Sequence, residues 1–217
     1  MAKRIAQVPE GLSPKSTTGY NIIMFYTGKG DDGTTKTFGC DQRISKSSAI
    51  AEALGSLDEI NSFLGFCKIK SEKEKFILHD NSSCARLILN IQKNLFIIQA
   101  EIAGSEMFIS EDKIKEIEKI IDDIEKELPP IKSFFISGGT KLAVLFDMAR
   151  TIARRAERRV VEVSEPSDAK ALAGREGKTK ISDFSKAYLN RLSSLLYALA
   201  RLSNNKFGVK EESPDYE

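Results

Sequence analysis

The sequence predicts an all-α fold: an up-and-down bundle of five helices with a glycine-rich loop at its N-terminal end. Three observations carry this. Apolar residues recur at three- and four-residue spacing over five long segments, prolines, glycines and polar linkers separate those segments, and no strand-helix-strand alternation follows the loop. At 217 residues the chain can bury a sizeable core within one domain. Residues 1–19 are polar and read as a loosely held tail, the folded domain is expected over 20–207, and 208–217 read as a second tail.

The first helix begins near Lys46, with Ser47 or Ser48 as its N-cap and Ile50, Leu54, Leu57, Ile60 and Leu64 as its core stripe. Asp58, Asn61, Ser62 and Gly65 fall on another face. A second helix is read from Leu87, Ile91, Leu95, Ile98 and Ile102 to near Gly104, and its apolar circumference predicts a central position. The third carries Ile114, Ile117, Ile121, Ile124 and Leu128, with the intervening charges forming a solvated face. Pro129-Pro130 stops it and starts an unusually apolar connection, Ile131 to Gly139, containing Phe134-Phe135-Ile136. A fourth helix is expected from Thr140 to Val163, a polar linker over Ser164 to Lys180, and a fifth helix from Ser182 to Ser203.

Composition narrows the function less than it narrows the fold. Lys and Arg total 33 against 31 for Asp and Glu, so the whole-chain charge of +2 gives no argument for a nucleic acid or membrane partner. Cys40, Cys67 and Cys84 are odd in number and far apart, and His79 is the one histidine, which predicts reduced thiols rather than a disulfide frame or a zinc site. No apolar stretch approaches about twenty residues, and no signal-like core follows Met1-Ala2-Lys3-Arg4, so a cytoplasmic protein is expected.

Chemistry is concentrated in four places. Tyr26-Thr27-Gly28-Lys29-Gly30-Asp31-Asp32-Gly33-Thr34-Thr35-Lys36-Thr37 combines glycines, hydroxyls and lysines, which suits either a solvated turn or an anion cradle of converging N–H groups. It is not a P-loop: Thr34-Thr35 stands where that motif needs a lysine, and no helix follows at once. On the fourth helix Leu142, Leu145, Ala149, Ile152, Ala156, Val160 and Val163 share a core arc. Arg150, Arg154, Glu157 and Arg158 share another, either as solvated arginines or as planar forks for phosphate. Glu157 then orients one arginine or holds a phosphate-bound cation. On the fifth helix Leu189, Leu192, Leu196 and Leu199 face the core, while Asn190, Ser194, Tyr197 and Arg201 share a polar face. Phe134, taken alone, reads as a core aromatic.

These pieces, in this order from Phe25 to Phe207, resemble the PduO-type ATP:cob(I)alamin adenosyltransferases. The resemblance rests on the loop from Tyr26 to Gly33, the segment Leu54 to Gly65, Phe134 to Thr140 with Gly138-Gly139, Arg150 to Arg158, and Leu189-Asn190-Arg191-Leu192-Ser193. It implies a homotrimer with active sites at subunit interfaces and transfer of the 5′-deoxyadenosyl group of ATP to cob(I)alamin, with release of triphosphate. It implies an ATP site of Thr27, Gly28, Lys29, Gly30, Thr35, Lys36, Lys46, Arg154, Arg155, Glu157, Arg158 and Asn190, with Mg2+ on the phosphates near Glu157. Asp58 and Arg150 correspond to an acid and a base that pair across the interface, and Phe134 to an aromatic lying against the corrin. A cobalamin reductase or an adenosylcobalamin-dependent acceptor enzyme would be a further partner.

Three departures are visible. The loop reads Thr27-Gly28-Lys29-Gly30 rather than Thr-Lys-Thr-Gly, Ser194 replaces an aspartate, and Ala49-Ile50-Ala51-Glu52 replaces a more basic or aromatic stretch. A nucleotide-binding relative that has lost adenosyl transfer and a helical interaction module are the alternatives. The interaction module does not explain why the loop, Asp58, the arginines and Asn190 coincide.

Overall fold

The computed structural model describes residues 26–37, 43–164 and 181–216. The N-terminal tail, the apolar run Ile22 to Phe25, Cys40 and most of the linker expected over 164–180 lie outside them. Five helices dominate: α1 Ala49–Lys73, α2 Cys84–Ile102, α3 Glu111–Glu127, α4 Lys141–Ser164 and α5 Asp183–Lys206. A two-stranded antiparallel ribbon, β1 Thr34–Lys36 and β2 Arg43–Ser45, precedes them, with Thr34 opposite Ser45 and Lys36 opposite Arg43. The glycine-rich loop is therefore one end of a small hairpin that leads into α1.

Local chemistry sets the helix ends. The Ser48 hydroxyl accepts from the Ala51 N–H at 3.3 Å and starts α1, and Ser182 does the same for Ser185 at 3.1 Å ahead of α5. Thr140 opens α4 by accepting from the Ala143 N–H at 3.0 Å. Leu128 turns extended before Pro129-Pro130, because the residue preceding proline is sterically barred from helical geometry.

The helices pack in the order α2, α1, α4, α5, α3, so α4 and α5 occupy the middle. This differs from the central place expected of α2, which packs mainly on α1 and leaves Phe96 largely exposed. The reason lies in α4. Ala143, Ala149, Ala153 and Ala156 are all fully buried, and side chains this small let two neighbouring helix axes come close at once. Phe146 and Ala153 therefore join the expected core arc, which widens to face both neighbours. In α5, Tyr188, Leu189, Leu192, Leu195, Leu196, Leu199 and Leu202 are buried, each large side chain contributing about 1.5–3 kcal/mol relative to exposure.

Two buried polar clusters in this core are paired. Asn94 Nδ2 donates to the Tyr188 hydroxyl at 2.9 Å, and Glu101 receives the Ser182 N–H at 2.6 Å and the Ser185 hydroxyl at the start of α5. Cys67 and Cys84 are free thiols, and burial pushes both up to about 12, which leaves them unreactive. Among the described residues no helix is long and apolar enough to cross a membrane.

Candidate active site

The loop turns twice: the Asp31 N–H donates to the Gly28 carbonyl and the Gly33 N–H to the Gly30 carbonyl, each at 3.2 Å. From the far strand, the Lys46 N–H donates to the Gly33 carbonyl at 2.9 Å, bringing that residue back over the loop. A Cβ on Gly30 would stand 3.1 Å from Lys46 Nζ and 3.1 Å from the Thr34 carbonyl oxygen, so glycine here lets the ammonium lie close over the backbone. Arg43, which the sequence did not single out, ties the loop together. Its guanidinium donates to the Thr34 hydroxyl and to the carbonyls of Lys29 and Thr34, and lies 3.5 Å from Asp32. Asp32 also accepts from the Thr34 hydroxyl at 2.7 Å and the Thr34 N–H at 3.0 Å, bonds that hold its carboxyl below the usual range. Arg43 and Asp32 thus offset each other, whereas the ammonium groups of Lys29 and Lys46 meet no carboxylate among the described residues.

A second cluster of charged side chains is built by α4 and α5. Arg154, Glu157, Arg158, Val161, Glu162 and Asn190 line a cavity of about 390 Å3. Asn190 Nδ2 donates to Glu157 Oε1 at 3.0 Å, and Asn190 Oδ1 accepts from Arg191 at 2.8 Å, so the asparagine bridges α5 to α4. Arg154 and Arg158 have no acidic partner among the described residues. Arg155 points elsewhere, to Glu59 on α1, and lines neither this cavity nor the next. Of the arginines expected at the ATP site, Arg154 and Arg158 are therefore left without an acid among the described residues, while tertiary packing engages Arg155.

Arg154 also borders a larger cavity of about 440 Å3, whose wall includes Phe134, Asp147, Arg150, Ser194, Tyr197 and Arg201. Phe134 is 81% exposed at its rim, which removes the core-aromatic reading. The connection that carries it is held at several points. Gly139, at φ +97°, lies so close to Asn204 that any Cβ would collide with it, and Asn204 accepts from the Thr140 N–H at 2.9 Å while donating to the Gly138 carbonyl at 3.0 Å. Residues after α5 fold back onto the connection: the Ile136 N–H donates to the Glu212 carbonyl at 2.8 Å, and Ser133 and Ser213 share a hydroxyl bond at 2.7 Å. Arg201, only 5% exposed, pairs with Glu211 at 2.9 Å, donates to the Pro129 carbonyl and stacks 4.9 Å from the Phe135 ring. The segment expected to be a tail thus forms part of the wall; Glu211 carries no signal in the sequence that would have placed it there.

Arg150 is half-buried, 5.8 Å from the Tyr197 ring, and its Nε lies 3.4 Å from Asp147 Oδ1. Burial raises the Asp147 carboxyl, while Arg150, the Gly138 N–H and the Ser137 hydroxyl pull it back down. Asp147 was missed in the sequence although its spacing of three residues from Arg150 is that of a helical pair. Asp58 is exposed on α1 and lines neither cavity. Within one chain it does not meet Arg150, and Thr27, Gly28, Lys29, Gly30, Thr35, Lys36 and Lys46 of the hairpin line neither cavity.

The fold and these two regions define a helical-bundle protein with arginine- and lysine-bearing surfaces and a cavity rimmed by an exposed aromatic. Residues 25–203 match the family model described as cobalamin adenosyltransferase, and the chain belongs to that family. It is 36% identical over 190 residues to the corrinoid adenosyltransferase PduO of Citrobacter freundii, covering 84% of this chain and 50% of that protein. With the corrinoid adenosyltransferase of Bacillus subtilis it shares 32% identity over 191 residues, covering 86% and 90% of the two chains. Among solved structures it is similar to a variant PduO-type ATP:corrinoid adenosyltransferase from Lactobacillus reuteri complexed with cobalamin and ATP, at TM-score 0.72 and 28% identity over 89% of this chain and 97% of that one. The chain spans about half the length of the PduO relatives it matches.

Proposed function

We propose that this chain transfers the 5′-deoxyadenosyl group of ATP to cob(I)alamin in the cytoplasm, releasing triphosphate. The observation that carries the reading is Arg154: a guanidinium with no ion-pair partner among the described residues, bordering both the cavity rimmed by Phe134 and the one lined by Arg158, Glu157 and Asn190. One cavity suits a flat apolar macrocycle edge and the other a polyphosphate, with one cation at their junction. In the transfer, the cobalt(I) electron pair forms the bond to C5′ as the C5′–O bond breaks, and that bonding pair leaves with the triphosphate. The protein then needs no nucleophile of its own. Its residues orient the reactants and stabilise charge on the departing phosphates: Arg154 and Arg158 as forks, Asn190 as the group that orients Glu157.

Lys29, Lys46, Thr27, Thr35, Lys36 and the Gly28 and Gly30 backbone supply a second set of phosphate contacts in this reading. The hairpin and the α4–α5 cavities share no lining residue, which supports a site completed by two copies of the chain in the homotrimer that the resemblance implies. The exposed α1 face with Gly55, Asp58, Ser62, Gly65, Phe66 and Ile69 supports this, since it is partly apolar and lets another helix approach. Asp58 then meets Arg150 of a neighbouring copy. Among the described residues no group of three or more acidic, histidine or cysteine side chains forms a metal site. Mg2+ would be carried chiefly by phosphate oxygens, with Glu157 and Glu162 as the carboxylates lining that cavity.

Phe134→Ala tests the reading. At 81% exposure the ring contributes little to folding, so the variant should melt close to the parent rather than lose the about 3–5 kcal/mol of a core phenylalanine. With ATP and Co(II) cobalamin bound, its absorption or electron paramagnetic resonance spectrum should shift toward five-coordinate cobalt, and turnover with chemically reduced cobalamin should fall. An unchanged cobalt spectrum beside unchanged turnover would remove Phe134, and with it this reading of the cavity.

A further inference from the structure

Two acids line the larger cavity, and they are used differently. Glu211 is taken up by Arg201, whose remaining contacts go to the Pro129 carbonyl and the Phe135 ring. Asp147, 9% exposed, reaches in two directions at once. On its own helix Oδ1 faces Arg150 Nε at 3.4 Å, and across the gap Ser137 lines the same cavity wall, near enough, with Gly138, to offset part of the upward push of burial on the carboxyl. Ser137 lies three residues beyond Phe134, so one side chain stands between the guanidinium of α4 and the connection that carries the aromatic.

The contact with Arg150 is side-on. It uses Nε alone, and the two Nη atoms have no hydrogen-bonding or acidic partner among the described residues. A guanidinium held this way keeps its two-pronged edge open for a second carboxylate, the geometry in which arginine binds most strongly. Burying a carboxylate whose only cationic partner in direct contact is this long, single contact stabilises the fold poorly. The arrangement makes better sense as orientation than as glue.

We infer that Asp147 is a positioning residue: it fixes the open edge of Arg150 relative to the connection bearing Phe134, so that the two sides of the larger cavity keep one register. Its kinetic consequence rests on the adenosyl transfer proposed above; its structural consequence does not.

The chain contains no tryptophan, so Phe134→Trp supplies a single fluorophore at the rim. In that background Asp147→Ala should lower the anisotropy of the introduced indole, whereas Asp147→Asn, which keeps the shape and an acceptor oxygen facing Ser137, should leave it near the parent value. Ser137→Ala removes the facing hydroxyl from the other side and should lower anisotropy too, which keeps the test decisive if Asp147→Ala fails to fold. In the Phe134 background, Asp147→Asn should reduce kcat by roughly 10–100-fold, the scale of an ångström misplacement, with KM for ATP within about twofold. Unchanged anisotropy in both Asp147→Ala and Ser137→Ala, or an Asp147→Asn loss confined to KM, overturns the assignment. If the parent itself does not turn over, the proposed activity fails and the anisotropy series alone decides the role of Asp147.

Discussion

On the side of α4 that meets α1, Arg155 reaches Glu59, and Arg159 lies 3.5 Å from Glu52 and 2.9 Å from Glu162. On the side that faces α5 and the Phe134 connection, Arg154 and Arg158 meet no acid among the described residues, and Arg150 meets one at long range. The residue type is the same and the positions are a turn or less apart. What differs is the neighbour: α1 brings acids to its side, while α5 brings Asn190, Ser193, Ser194 and Tyr197 to the cavities. Unneutralised guanidiniums lining a cavity are poised for an anion from outside, and guanidiniums in exposed pairs are already occupied.

The largest effect that this contrast predicts is at Arg154. Arg154→Ala should weaken ATP binding by the about 1.5–3 kcal/mol of a charge-assisted contact and lower turnover with it. Because the side chain has no partner to orphan, the melting temperature should hardly move. Titration calorimetry beside a thermal melt checks both. Unchanged affinity and rate would erase the distinction between the two sides of α4.

How much of this contrast was legible beforehand follows the range of the interactions. The helices, their caps and the Pro129-Pro130 stop are local, and periodicity places them closely. The loop too was legible, because glycines and lysines adjacent in sequence stay adjacent in space. Periodicity also put Arg150, Arg154, Glu157 and Arg158 on one arc of α4. That Arg155, also expected at the ATP site, is engaged depended on Glu59, nearly a hundred residues away in the chain, and no single-helix pattern contains that information. The same limit hid Glu211 behind a polar terminus and left α2 in the centre, where the small residues of α4 displaced it.

The pH dependence of stability should sharpen the comparison from a different direction. The Asp147 carboxyl is raised by burial, so it titrates above its unfolded value near 3.8. The stability it contributes is fully present below that value and is lost as pH rises through the folded pKa. Asp147→Asn lacks the term, and its stability relative to the parent should climb across that window and then level off. Asp123 on α3 is opposite in sign. Lys119 and Lys126 bond its carboxylate and hold it down at about 2, so its contribution is present above the unfolded value and lost as pH falls toward about 2. Asp123→Asn should therefore lose stability relative to the parent as pH rises from about 2 to above 3.8. Denaturant midpoints measured across this range read both slopes, and equal slopes would mean that the Asp147 environment is no drier than an open helix face.

The smallest effect belongs to the occupied side of α4. Arg155 and Glu59 are each about half exposed, at 44% and 50%, and solvent screens a pair of this kind. Arg155→Ala, Glu59→Ala and the double variant should define a coupling of about 0.2–1 kcal/mol, shrinking further in salt. ATP affinity should stay near that of the parent, since Arg155 borders neither cavity. A loss of ATP binding in Arg155→Ala as large as that in Arg154→Ala, with Glu59→Ala silent, would show that the assembled protein turns this guanidinium toward the nucleotide. The two sides of α4 would then form one continuous anion surface, with Glu59 a resting partner that the phosphates displace.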